Sequence, residues 1–355
     1  MKPTQQLHEL GQSLWLDNIT RTILDDGTLA RYLDQLAVTG LTSNPTIFDH
    51  AIVNTDAYDE QIATLAGSEP EAAFFELALA DLRRAAELFA PIHERTDGVD
   101  GWVSLEVSPL LADDARRTVE QARGLHAKAE RPNLLIKIPG TEAGHEAITE
   151  TVFAGIPVNV TLLVSTDHYL GAAEAYMRGV ERRIEAGLDP AVGSVASVFI
   201  SRWDKAVFDD VPEALRDRLG IAVAKRTYRA YRELLDSERW QRLANEGARP
   251  QRLLWASTGT KDPDASDVLY IGGLAAPFTV NTMPEKTLLA FADHGEVAEP
   301  LPADGGDAGG ILDEFAAAGV DVDALAARLQ ADGAQSFDDS WRELIDSISS
   351  RLSSA

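Results

Sequence analysis

A lysine lies inside a strongly apolar segment of this chain. Lys137 is the only charged residue in the run Leu-Leu-Ile-Lys-Ile-Pro at positions 134–139. Continuous aliphatic runs of this kind are typical of buried parallel strands. A buried ammonium group loses its hydration, so it either pairs with a carboxylate or is held neutral for chemistry. The sequence therefore indicates a buried ion pair or a nucleophilic amine that forms a Schiff base with a carbonyl substrate.

Strand-like and helix-like segments alternate along the chain. The strand-like runs are Ser13–Ile19, Val38–Asn44, Gly101–Val107, Leu134–Ile138, Pro157–Val164, Val192–Ile200, Leu253–Ser257 and Phe278–Thr282. Apolar residues recur about every 3.6 positions in intervening stretches such as Glu71–Ala90, Asp113–Ala129, Thr166–Ala186, Glu213–Leu235 and Glu285–His294. This alternation predicts parallel strand–helix units, and eight units fit a (β/α)8 barrel. A doubly wound sheet is the alternative, but the chain has no G-x-G-x-x-G or Walker sequence.

Polar residues cluster at the carboxyl ends of the predicted strands, where barrel enzymes place their chemistry. The residues at these ends are Asp17, Asn44, Glu106, Lys137, Asn159, Thr161, Ser197 and Ser257. Each has a simpler structural interpretation. Asp17 could cap a helix start, Asn44 and Asn159 could form turns, and Glu106 could be the salt-bridge partner of the lysine. Because so many such residues fall in one layer, the pattern favours an active site.

The region after the last strand is predicted to belong to the same domain. Residues 303–310 contain four glycines and predict a flexible connection. Residues 311–352 predict two or three amphipathic helices, one of them over Ser340–Leu352. Because this is too little for an independent core, we expect one domain over residues 1–355, with residues 303–355 packing back on the barrel.

Charge and composition exclude several classes of function. The chain has 355 residues, 32 of them basic and 57 acidic, for a net charge of −25. Such a surface repels polyphosphate backbones, so we expect neither nucleic-acid nor membrane binding. A small phosphorylated substrate remains compatible, because a few cations inside a pocket override a screened outer field. The first residues lack the apolar core of a signal peptide, which predicts a cytoplasmic protein. Monomer and homodimer both stay open, because the sequence does not give the oligomeric state.

The sequence predicts chemistry without a metal or cofactor. The chain has no cysteine, which excludes disulfides, thiolate catalysis and cysteine-ligated metals. Its seven histidines are scattered without the paired spacing of metal ligands. A lysine nucleophile needs neither kind of group.

Four ordered motifs resemble the transaldolase family, whose members are class I Schiff-base enzymes on a (β/α)8 barrel. They are GLTSNPTIF at 40–48, LIKIPGTEAG at 135–144, VNVTLL at 158–163 and SVFISR at 197–202. The resemblance runs from about residue 10 to 295. It implies transfer of a dihydroxyacetone unit from a ketose phosphate, such as fructose 6-phosphate or sedoheptulose 7-phosphate. The acceptor would be an aldose phosphate, glyceraldehyde 3-phosphate or erythrose 4-phosphate, in the pentose phosphate pathway.

The resemblance also implies roles for individual residues. Lys137 would form the Schiff base, Asp17 would handle the C4 hydroxyl proton, and Glu106 with Thr161 would hold a water molecule. The hydroxyls of the three-carbon unit would meet Asn44, Asn159 and Ser197. The phosphate would meet Arg202, Ser257 and Lys261. The last two lie in a Ser-Thr-Gly-Thr-Lys loop that resembles a longer branch of the family, because shorter members carry an arginine soon after the serine.

Two other functions remain open at the level of sequence. One is a lyase of the same superfamily that releases free dihydroxyacetone, of the fructose-6-phosphate aldolase type. In that group a tyrosine hydroxyl and a glutamine handle the water, whereas this chain has Glu106 and Phe199, which favours transfer. The other is a catalytically silent barrel that binds a partner, but such a module needs no buried lysine beside a carboxylate.

Overall fold

Eight parallel strands form a closed barrel in chain order. A computed structural model describes residues 1–354. The strands are β1 (Ser13–Asp17), β2 (Val38–Thr42), β3 (Val103–Glu106), β4 (Leu134–Pro139), β5 (Val158–Leu163), β6 (Ser194–Phe199), β7 (Gln251–Ala256) and β8 (Val280–Met283). Because β1 pairs with β8, the sheet closes on itself. The predicted (β/α)8 barrel is confirmed, and the doubly wound sheet is wrong because an open sheet would leave two unpaired edges.

Helices follow the strands along the described chain. They are α1 (Pro3–Glu9), α2 (Arg21–Asp25), α3 (Thr28–Leu36), α4 (Pro45–Val53), α5 (Asp59–Thr64), α6 (Pro70–Arg95), α7 (Ala115–Ala129), α8 (Glu142–Phe153), α9 (Thr166–Glu185), α10 (Ser201–Val207), α11 (Leu219–Asp236), α12 (Glu238–Asn245), α13 (Leu269–Gly272), α14 (Glu285–His294), α15 (Ala308–Ala317) and α16 (Val322–Ser354). The helix predicted from Glu213 begins only at Leu219. A positive φ of 58° at Asp217 interrupts the helical backbone before it.

Several predicted strands are shorter than their apolar runs because the last residues start the next helix. β1 ends at Asp17 and β2 at Thr42. Beyond them, Thr20 accepts the Ile23 amide and Asn44 accepts the Ile47 amide, so both residues cap helix starts. A stretch of sequence that is predicted as one strand therefore contains a strand, a turn and the capping residue of a helix.

Alternating side chains divide the barrel interior into an apolar and a polar layer. Trp15, Leu135 and Val195 are almost fully buried in the lower layer, in one cluster with residues of β7 and β8. Two positions further along the same strands come Asp17, Lys137 and Ser197. The apolar layer thus forms the floor on which the polar residues stand.

Gly40 allows Trp15 to occupy that floor. A Cβ at position 40 would lie 2.7 Å from the Trp15 indole and 2.8 Å from the Trp102 carbonyl oxygen. Below the floor, Asp100 accepts hydrogen bonds from the Trp15 indole nitrogen at 2.8 Å and from the Ser13 hydroxyl. The amino end of the barrel is therefore tied together by buried polar contacts, which are satisfied internally.

The region after β8 differs in detail from the prediction. The flexible connection predicted for residues 303–310 is too long, since α15 already begins at Ala308. Burial of Ile311, Leu312 and Phe315 on this helix overrides the low helix propensity of the two glycines. α15 and α16 are the helices found over the region predicted to hold two or three. No helix within residues 1–354 has the length and apolar character needed to cross a membrane.

Candidate active site

A cavity of about 300 Å³ opens at the carboxyl end of the barrel. The predicted residues that line it are Asp17, Asn44, Lys137, Ser197, Phe199, Arg202, Ser257 and Lys261. Glu106, Asn159 and Thr161 are buried on β3 and β5, the two strands that flank the lysine strand. The structure therefore brings all the predicted residues into one region.

Lys137 and Glu106 form a buried ion pair. The lysine Nζ lies 3.0 Å from Glu106 Oε2 and donates to the Ser43 carbonyl oxygen at 3.2 Å. The two side chains are only 7% and 4% exposed. Burial raises the pKa of Glu106, the Lys137 charge opposes that rise, and the negative charge of Asp17 adds to it. A carboxylate with a raised pKa beside the amine is suited to take and return its protons.

The second carboxylate, Asp17, lies in the same cavity and is held by a hydroxyl. Thr42 Oγ1 donates to Asp17 Oδ1 at 2.6 Å and lies 2.7 Å from Thr282 Oγ1. Burial raises the pKa of Asp17, whereas the Thr42 hydrogen bond and the charges of Lys137 and Lys261 lower it. The capping interpretation of Asp17 is wrong, because Thr20 caps α2. Asp17 is thus free to act as a base toward a bound molecule.

Two buried oxygen atoms close to the ion pair lack a protein partner. Glu106 Oε1 and Thr161 Oγ1 make no hydrogen bond to any described residue. Their strands lie on either side of β4, which carries Lys137. Buried polar atoms are normally satisfied, and an ordered water molecule is the usual partner when protein groups are lacking.

Asn159 is fully buried on β5 and is hydrogen-bonded to two serine hydroxyls. Its Oδ1 accepts from Ser197 Oγ at 2.7 Å, and its Nδ2 donates to Ser104 Oγ at 3.1 Å. Ser197 lines the cavity, so the amide of Asn159 fixes the Ser197 hydroxyl in place.

Asn44 caps a helix and also lines the cavity. Its Oδ1 accepts the Ile47 amide at 3.0 Å and caps α4, while the residue also lines the cavity. The cap fixes the orientation of the side chain. Its NH2 group is therefore the part that can donate to a ligand.

Two cations face the outer part of the cavity. The Arg202 guanidinium stacks 4.6 Å from the Phe199 ring centre, and Lys261 lies across the cavity with Ser257. Burial lowers the pKa of Arg202. Burial and the charges of Lys205 and Arg202 lower that of Lys261. Neither makes a salt bridge in the described chain, so a doubly charged anion would relieve the desolvation of both.

Sequence reasoning missed part of the cavity wall. Thr42 ends β2 and Thr282 lies near the end of β8, so polar side chains at the carboxyl ends of strands were a usable signal. Ser336 and Phe337 line the cavity from α16, far along the chain from every motif. No spacing in the sequence connects these two residues to the lysine, and tertiary packing alone brings them there.

Among the described residues, no group of three or more His, Asp or Glu side chains could hold a metal ion. The polar groups that line the cavity include the amines of Lys137 and Lys261, the Arg202 guanidinium, the Asp17 carboxylate, the Asn44 amide and several hydroxyls. These groups suit covalent and acid–base chemistry on an oxygen-rich organic substrate.

Comparisons with known proteins point in one direction. A family model described as Transaldolase/Fructose-6-phosphate aldolase matches residues 14–348. The transaldolase of Frankia alni is 45% identical over 99% of this chain and 97% of its own length. The transaldolases of Thermobifida fusca and Kocuria rhizophila are 45% and 46% identical, over 99% of this chain and 98% and 99% of theirs.

The ion pair makes a prediction about stability. Glu106→Ala leaves the Lys137 ammonium buried without a partner, so the free energy of unfolding should fall by about 3–5 kcal/mol. Glu76→Ala is the matched control, since it removes the exposed pair with Lys128 and should cost at most about 1 kcal/mol. Urea denaturation of both variants measures the difference. Equal losses of unfolding free energy would show that the buried pair contributes no more to stability than the exposed pair.

Proposed function

We propose how the residues of this chain, which belongs to the transaldolase/fructose-6-phosphate aldolase family, divide the steps of the transaldolase reaction. The activity is that of a transaldolase: a dihydroxyacetone unit passes from a ketose phosphate to an aldose phosphate through a lysine Schiff base. The observation that carries the proposal is the buried Lys137–Glu106 pair at the base of a cavity that also holds Asp17.

Schiff-base formation is assigned to Lys137 and Glu106. The lysine ammonium gives a proton to Glu106, and the resulting amine attacks C2 of the ketose, which forms a carbinolamine. Loss of the C2 hydroxyl as water then gives the iminium ion. A water molecule between Glu106 Oε1 and Thr161 Oγ1 would relay the protons of this step, because both atoms are buried and otherwise unpaired.

Carbon–carbon cleavage is assigned to Asp17. Its carboxylate takes the proton of the C4 hydroxyl, the C3–C4 bond breaks, and the bonding electrons move into the iminium to give an enamine. The aldose phosphate leaves as an aldehyde. Addition of the enamine to an acceptor aldehyde reverses these steps, and Asp17 returns its proton. The iminium supplies the electron sink, so the route works with side-chain groups alone.

Substrate recognition is divided between the inner and outer parts of the cavity. Asn44 and Ser197 would bind hydroxyls of the three-carbon unit, and Asn159 would orient Ser197. Arg202, Ser257 and Lys261 would bind the phosphate, for which the Arg202 guanidinium offers a planar fork. Phe199 supports Arg202 by stacking and brings no hydroxyl that would activate water near the intermediate.

Borohydride trapping tests the two assigned stages. With fructose 6-phosphate, reduction should fix a three-carbon adduct on Lys137 of the wild-type protein. Lys137→Ala should give no adduct. Asp17→Ala should trap the intact ketose while it makes little aldose phosphate, with a rate loss of about 10²–10⁴-fold. Peptide mapping locates the adduct, and an adduct on a different lysine would overturn the assignment.

The Thr42–Asp17 hydrogen bond makes a prediction about pH dependence. Because this bond lowers the pKa of Asp17, Thr42→Val should raise that pKa further. The base works only when ionised, so activity falls as the pH drops through its pKa. The acid limb of kcat/KM should therefore move to higher pH. Thr39→Val on the same strand is the control. An identical shift of the acid limb in both variants would contradict the assignment of that limb to Asp17 and its Thr42 hydrogen bond.

Arg202 and Lys261 should act on the substrate phosphate. Truncating either to Ala should raise KM for phosphorylated sugars about ten- to a hundredfold, since a charge-assisted hydrogen bond is worth about 1.5–3 kcal/mol. Unphosphorylated sugars should be affected much less. Lys128→Ala is the control, because Lys128 forms an exposed pair with Glu76 and does not line the cavity. Equal losses for both sugar types would indicate that these residues hold the site's geometry instead.

A further inference from the structure

The carboxyl-terminal helix α16 is anchored on both sides of the active-site cavity. On one side, Gln330 Nε2 donates to the carbonyl oxygens of Leu162 at 3.0 Å and Gly140 at 3.3 Å. On the other side, the centre of the Trp341 ring lies 5.2 Å from the centre of the Phe74 ring. The turns between these anchors are consequently held across the mouth of the barrel.

Gly333 allows the helix to come this close. A Cβ at this position would lie 2.6 Å from Arg202 Nη1 and 3.1 Å from a Leu162 methyl carbon. Any larger side chain would displace the arginine or lift the helix. The absence of a side chain therefore sets the height of α16 above the cavity.

Phe337 is the residue that this arrangement places over the reacting amine. It is only 8% exposed and lines the cavity. Its ring centre lies 5.4 Å from Lys137 Nζ and 6.3 Å from the Phe199 ring. The two rings form an apolar wall next to the nitrogen that would carry the intermediate.

The fate of the intermediate depends on water at this place. To release dihydroxyacetone, the enamine must gain a proton at C3, and one water molecule must then add to the iminium carbon, which returns the free lysine amine. Transfer needs no proton at C3, because the acceptor aldehyde bonds there instead, and water adds to the iminium carbon only afterwards, to free the product ketose. A group that excludes water from the enamine thus favours transfer over release.

We infer that Phe337 is a further specificity-determining residue, which sets the ratio of transfer to release by covering the Lys137 intermediate. The inference rests on the proposed Schiff-base route. The inference gives α16 a direct part in choosing the product, although none of the four family-like motifs lies on this helix.

The partition ratio tests this role. Phe337→Leu keeps an apolar side chain but opens space for water above Lys137. The measurement is the rate of dihydroxyacetone release from fructose 6-phosphate divided by the rate of transfer to glyceraldehyde 3-phosphate, on one preparation. This ratio does not depend on the folded fraction, since both rates scale with it. We expect it to rise several-fold.

Phe315→Leu is the matched control. It makes the same change in a fully buried ring of the same hydrophobic cluster, on α15, and should keep the wild-type ratio. An unchanged ratio in Phe337→Leu, or an equal rise in Phe315→Leu, would overturn the inference. Borohydride trapping on Lys137 separates this outcome from failure of the Schiff-base route, since a trapped adduct with an unchanged ratio refutes only the role of Phe337.

Discussion

The buried ion pair of Lys137 and Glu106 is the constraint on which the rest of the structure depends. Desolvating two charges costs several kcal/mol per ion, and only close, well-oriented contact offsets that cost. The barrel supplies the contact because the register of β3 and β4 sets the two residues directly opposite each other. An apolar layer below them, which includes Leu135 and Trp15, excludes water from one side. The fold thus holds the Lys137 nitrogen in a fixed place beside the Glu106 carboxylate.

Much of this could be predicted from the sequence because its signals are local. Aliphatic runs that alternate with segments of helical spacing predicted the barrel. The lysine inside one of these runs predicted a buried amine. The ends of the elements were less predictable, since Asn44 follows an extended run yet caps a helix. The hydrogen bond between Asn159 and Ser197 joins two strands, and no sequence pattern indicates which hydroxyl the amide contacts. The contribution of Phe337 arises from contacts between segments about two hundred residues apart, and these leave no spacing pattern.

The chain as a whole is acidic, whereas two cations face the cavity. The chain carries a net charge of −25, yet Arg202 and Lys261 face the cavity, and burial lowers the pKa of each. The outer field is screened beyond about 8–10 Å at physiological salt. An anion inside the cavity therefore responds mainly to the two nearby cations. An acidic surface is compatible with a phosphorylated substrate because local charge, and not net charge, governs the pocket.

The dispersal of the active site along the chain has a consequence for biosynthesis. Asp17 lies on the first strand, whereas Phe337 lies on the last helix, and both line the same cavity. A ribosome extends the chain from its amino end, and early segments begin to fold first. Lys137 is thus made before the helix that covers it. Until α16 has emerged and docked, a nascent chain lacks the part of the cavity wall that Ser336 and Phe337 form.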